Sequence, residues 1–122
     1  VLGAHACLAC AQPVLAGALL SGNADAITAH ESTGHLIHLT CMGQLMVAVL
    51  FWRPGHGPWW PATVTAALVV AEGVQIGAGE QHQLGLHVPL GVAIVGSVVA
   101  LFVWSIVWRI RRTHRVDPVA VS

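Results

Sequence analysis

The sequence predicts an all-α protein, a membrane-spanning up-down four-helix bundle, and three observations carry that prediction. The first is composition: of 122 residues, 56% are hydrophobic and 8% are charged, with a mean hydropathy of +0.75. One small soluble core cannot hide that much apolar surface, so lipid must serve as solvent. The second is the presence of apolar runs of about 20 residues, the length that crosses a bilayer as a helix, at about 1–21, 33–52, 62–79 and 88–108. The third is the set of breakers and charges between those runs. Together they describe a single transmembrane domain over 1–115 and a loose cytoplasmic tail over 116–122.

The first span closes at Ser21-Gly22-Asn23-Ala24-Asp25. The chain opens at Val1 in an apolar run with no methionine, which points to a missing short leader. Because 1–21 is itself long enough to span, it reads as a membrane helix and not as a cleaved signal peptide. Cys7, Cys10 and Cys41 all fall inside apolar stretches, so no disulfide framework is implied. Cys7-Leu8-Ala9-Cys10 has CxxC spacing without the following histidine that c-type heme attachment needs. With His5 it could take a soft metal, but small packing residues are the expected role.

The second span ends at Arg53-Pro54-Gly55-His56-Gly57-Pro58, where prolines and glycines forbid continuation. The third ends at Gly77-Ala78-Gly79-Glu80-Gln81-His82, and the fourth runs into Arg109-Ile110-Arg111-Arg112. Arginine occurs only in the second connection and after the last span, so the positive-inside bias puts both termini in the cytoplasm. The absence of lysine and the richness in Ala, Gly and Val point to a bacterial source, and so to a bacterial plasma membrane. Asp25, Glu31 and Glu80 then face outward, and Trp52, Trp59, Trp60 and Trp108 anchor the cytoplasmic boundary. His56 and His114 read as solvated there. A formal net charge of zero gives no footprint for nucleic acid.

The chain also repeats itself, as two duplicated helical hairpins would. Gln12 and Gly17 precede an outward loop ending in His30 with Gly34 four positions on; Gln75 and Gly79 precede one ending in His87 with Gly91 four positions on. Two spans per repeat preserve topology, which relates the halves by an axis along the membrane normal. His30 and His87 then share a depth, each roughly 32 Å above its inner tryptophan at the helical rise. The glycines below them thin the helices and leave room for a flat macrocycle.

The stretch from Glu72-Gly73-Val74-Gln75-Ile76-Gly77-Ala78-Gly79 through Leu86-His87-Val88-Pro89-Leu90-Gly91 resembles the third-to-fourth helix segment of one four-helix half of a heme A synthase. Gln12 through His30 is similar to the first-to-second helix segment of the same half. The resemblance implies one histidine at the outer end of the second helix and one on the fourth, His30 and His87, as heme ligands. The chain departs from the family in being one half-bundle, in lacking the outer-loop cysteine pair, in having Glu31 follow His30 instead of preceding it, and in having no arginine after either histidine. Those departures put the family's oxygenating activity in doubt. The chain also looks like small four-span actinobacterial membrane proteins, which implies a lineage and no activity.

Bis-histidine ligation needs two neutral imidazoles, each oriented by an acceptor. His30 and His87 are the expected pair, with Gly34 and Gly91 beside them and Glu31, Gln75 and Glu80 available as orienting groups. Interfacial histidines meeting water would look the same in sequence. His35 and His38 lie about 8 and 12 Å deeper and about 60° apart around the helix; they are alternative ligands, or a proton path with Glu72. Glu72 is the acidic residue well inside a span, where an ionised carboxylate is costly; it serves a function or is protonated and bonded to His35, His38 or Gln44. Gln12 and Gln44 read as interhelical glue.

Three functions fit. The preferred one is a small b-type cytochrome holding one heme b near the outer face, without catalytic activity of its own, serving electron transfer in a respiratory chain complex. The second is a cofactor-free accessory subunit that stabilises a larger membrane complex. The third is a heme- or quinone-modifying enzyme.

Overall fold

A computed structural model describes the backbone of residues 1–116 and the side chains of residues 1–113. The chain folds into helices α1 (Leu2–Leu20), α2 (Asp25–Trp52), α3 (Trp60–Glu80) and α4 (Leu84–Val116), with no strand among the described residues. All 4 are long and apolar enough to cross a bilayer, and the chain is a multi-pass membrane protein. Inside lipid every backbone amide must be satisfied within its own segment, so unbroken helices are the solution this composition allows. Pro13 and Pro89 each remove one amide donor, yet α1 and α4 run through them.

Three helices extend beyond the apolar runs, α3 by only one or two residues at each end and the other two by more. α2 begins at Asp25, eight positions before the expected 33, and α4 reaches Val116. The polar segment His30-Glu31-Ser32 is therefore helix and not outward loop, and Val116 belongs to α4 and not to the tail. Apolarity marks the hydrocarbon boundary, whereas helix propagation stops only where backbone hydrogen bonding is diverted. Here Asn23 Oδ1 accepts from the Asp25 amide at 3.1 Å, and Gly22 takes φ +93° in the turn before it. The expected loose tail at 117–122, and the side chain of His114, lie outside the described residues.

Neighbouring helices pack in the ring order α1, α2, α3, α4 and back to α1, while the diagonal pairs stay farther apart. The core at mid-bundle is made of Ala6, Ala9, Cys41, Leu68, Ile94 and Val98. Lipid tails are as apolar as leucine, so helix association rests on close packing and interhelical polar contacts, and small core residues permit that approach. Larger side chains such as Leu20, Leu39, Met46, Val70 and Val92 point outward. At the end of the bundle formed by the α2–α3 connection and the second half of α4, Trp104 packs between Trp60, edge-on with 4.4 Å between ring centroids, and Trp108, tilted at 5.5 Å. The guanidinium of Arg112 lies 5.5 Å over Trp108 and that of Arg53 lies 5.2 Å over Trp52, the aromatic and cationic belt of a membrane boundary.

Candidate functional site

The end of the bundle opposite the tryptophans is built by two tight connections. After α3, the amides of His82 and Gln83 return to the carbonyls of Gly79 and Ala78 at 3.0 and 2.8 Å. α4 therefore starts at once and sets His87 directly against the last turns of α3. The His87 Nδ1–H donates to the Gln75 carbonyl at 2.9 Å. That bond puts a proton on Nδ1, so that in the neutral ring Nε2 carries the lone pair. The ring also lies against Gly79, where an added Cβ would stand 2.9 Å from Cε1, so glycine is needed for the approach.

His30 reaches the same place from the opposite corner of the bundle. Its ring centroid is 6.0 Å from that of His87, with the planes 57° apart. Its Nδ1 is buried without a hydrogen-bond partner, and its backbone carbonyl accepts from Gln12 Nε2–H at 3.2 Å. The repeated glutamine and histidine thus meet in both hairpins with opposite polarity: Gln12 gives its side chain to a His30 backbone group, and His87 gives its side chain to a Gln75 backbone group.

The remaining residues expected at this site divide. A Cβ on Gly34, one turn below His30, would meet nothing within 4 Å, so space is open there, whereas Gly91 accommodates the side chain of Gln75, whose Nε2 would lie 2.8 Å from an added Cβ. Glu31 and Glu80 have exposed side chains, and neither carboxylate bonds to His30 or His87 among the described residues. His35 turns outward and donates from Nδ1 to the Glu31 carbonyl at 2.9 Å, so it joins neither His30 nor Glu72. Helical spacing could not separate it from His38, because both fall within the width of one face.

A second polar cluster lies deeper. His5, 0% exposed, sits among α1, α2 and α3 and bonds to Gln44 Oε1 at 2.8 Å through Nδ1 and to Glu72 Oε1 at 2.9 Å through Nε2. Thr65 Oγ1–H donates to the Pro61 carbonyl at 2.7 Å and so can only accept from Gln44 Nε2–H, at 3.3 Å. The Gln44 amide is thereby oriented with its oxygen toward His5, and His5 Nδ1 must carry a proton. One further proton is shared between His5 Nε2 and the Glu72 carboxylate. Glu72 Oε2 and His38 Nδ1 face each other at 3.6 Å, and both are buried without a hydrogen bond.

Glu72 therefore finds His5 as its partner, with His38 near and Gln44 one bond removed. Sequence reasoning weighed His5 only as a soft-metal partner of Cys7 and Cys10; the structure leaves those two cysteines exposed and sets His5 against Glu72 and Gln44 instead. Cys7 and Cys10 are exposed, while Cys41 is 0% exposed and lies in this cluster. Compared with known protein families, with curated proteins and with solved structures, the chain matches none.

Proposed function

We propose that the chain is a small b-type cytochrome of the bacterial plasma membrane, with His30 and His87 holding one heme b at the outer end of the bundle. The observation that carries this reading is the 6.0 Å between the two ring centroids, reached across the bundle diagonal. A metal bonded to two imidazole nitrogens at about 2 Å each separates the ring centres by about 6 Å.

The two histidines offer the ligand atoms such a group needs, while the Gln75 side chain, which fills the space beside Gly91, has to move aside for the macrocycle. His87 has a free Nε2 because Nδ1–H is committed to the Gln75 carbonyl, the arrangement that orients metal-bound histidines and raises their basicity. His30 offers a buried ring nitrogen with no other partner. Gly34 leaves open space beside it. Held this way, heme b supplies one-electron transfer. The apolar helices around it exclude water, and the Gln75 carbonyl tunes the electron richness of the His87 ring. The short connections leave little of the chain outside the bilayer, so the electron partner in this reading is a larger membrane complex of a respiratory chain.

Protein purified in mild detergent from heme-replete cells is expected to show a Soret band and a sharp reduced α-band. His30→Ala or His87→Ala should each abolish bound heme, and His35→Ala should keep it. A folded wild-type protein that stays colourless would sink the reading.

Arg53 and the arginines ending α4 support cytoplasmic termini. A reporter fused after Ser122 that is active only in the cytoplasm should therefore be active, and a secretion-dependent reporter at the same place should be silent.

A further inference from the structure

Besides the outer histidine pair, the bundle holds one group of metal-ligating side chains among the described residues: His5, Cys41 and Glu72, each offering a ligand atom within 4.8 Å of the others. They come from α1, α2 and α3, and all three are buried. We propose that this cluster is a site for a divalent transition-metal ion of zinc-like character, with His38 as a fourth group. It is independent of the heme reading, since Cys41 lies about 16 Å along α2 from His30 at the helical rise.

Ligand chemistry favours it. Imidazole, thiolate and carboxylate are the groups that bind zinc at about 2.0–2.3 Å, which sets tetrahedral ligand atoms roughly 3.3–3.7 Å apart. The separations among His5, Cys41 and Glu72 run from the 2.9 Å His5–Glu72 contact up to the 4.8 Å limit, and His38 Nδ1, outside that trio, stands 3.6 Å from Glu72 Oε2. His38 and Cys41, three residues apart on α2, share a helix face.

Two orphaned atoms add an independent reason. Glu72 Oε2 and His38 Nδ1 are buried, aimed at one another, and too far apart to hydrogen-bond. Unpaired polar groups in a membrane interior are costly, and a cation between them satisfies both. The outer partners are also in place: Gln44 holds the Nδ1 side of His5 and Thr65 holds Gln44, so Nε2 is the nitrogen turned toward the site.

Charge balances as well. Binding releases one proton from the Cys41 thiol and the one shared by His5 and Glu72. Thiolate, carboxylate and two neutral imidazoles then compensate a divalent ion, leaving a site without net charge, as a low-dielectric interior demands.

The test uses the full chain in detergent, stripped with chelator and titrated with Co²⁺ alone. One equivalent should produce tetrahedral visible bands and a thiolate-to-cobalt charge-transfer band. Cys41→Ser should remove the charge-transfer band, and Glu72→Gln should weaken binding by at least about 10-fold. The Cys7→Ser/Cys10→Ser and His30→Ala/His87→Ala double variants should bind as the wild type does. Absence of the bands in folded wild-type protein, their survival in Cys41→Ser, or their loss in either double variant overturns the proposal. Because the wild-type titration needs no substitution, a variant that fails to fold does not shelter it.

Discussion

Replacing His5 with leucine is expected to destabilise the chelator-treated protein by about 2–3 kcal/mol, and adding Glu72→Leu to the same chain should recover most of the loss. The single change strands a 3%-exposed carboxylate and the Gln44 amide oxygen with no donor. Removing one partner of a buried pair costs about 3–5 kcal/mol in water-soluble proteins, more than the pair contributes when intact. The lower figure applies here because separated helices in lipid also find polar partners, which reduces the difference between the two states.

Glu72→Gln retains a donor for His5 Nε2 and should cost about 1 kcal/mol or less, the worth of one ordinary hydrogen bond. Unfolding in mixed micelles with increasing denaturing detergent measures all of these. Strictly additive effects of the two leucine substitutions would show that the 2.9 Å contact carries no energy.

Gly79→Ala should do its damage at the other end of the bundle. A methyl group there stands 2.9 Å from Cε1 and 3.1 Å from Nδ1 of His87. An imidazole is rigid, and this one is tied through Nδ1 to Gln75, so relief requires the ring to leave its hydrogen bond. Overpacking of this kind costs about 1–3 kcal/mol, against a gain of up to about 1 kcal/mol from replacing glycine in a helix.

The expected balance is a net loss of about 1 kcal/mol, visible as a lower unfolding midpoint, and a His87 ring displaced from His30. Gly34→Ala is the control. Its Cβ meets nothing within 4 Å, so in heme-free protein it should be neutral or slightly stabilising. Equal effects at the two glycines would mean that the His87 ring does not pack on Gly79.

The fold was readable because it follows from solvent choice. Apolar run length and breakers located four helices, and the ends shifted only where helix continues into polar sequence, as at His30 and beyond Trp108. The convergence of His30 and His87 was readable through the repeat, since equal depth on alternate helices of a ring leaves them facing across it. The deeper cluster was not. His5, Gln44, Cys41 and Glu72 belong to three helices, and nothing in linear spacing reveals how far one helix slides along another. His35 shows the same limit on a smaller scale: a few tens of degrees of helix rotation decide between the interior and lipid.

The hydrogen bonds that cross between helices are unevenly shared. α1, α2 and α3 are laced together through His5, Gln44, Thr65 and Glu72, whereas α4 is tied to another helix by a side-chain hydrogen bond only at His87, among the described residues. The rest of α4 is held by shape, through Ile94, Val98, Leu101 and the tryptophan cluster. The polar anchorage of α4 is thus confined to its His87 end. Loosening that ring would leave the whole helix held by side-chain shape alone.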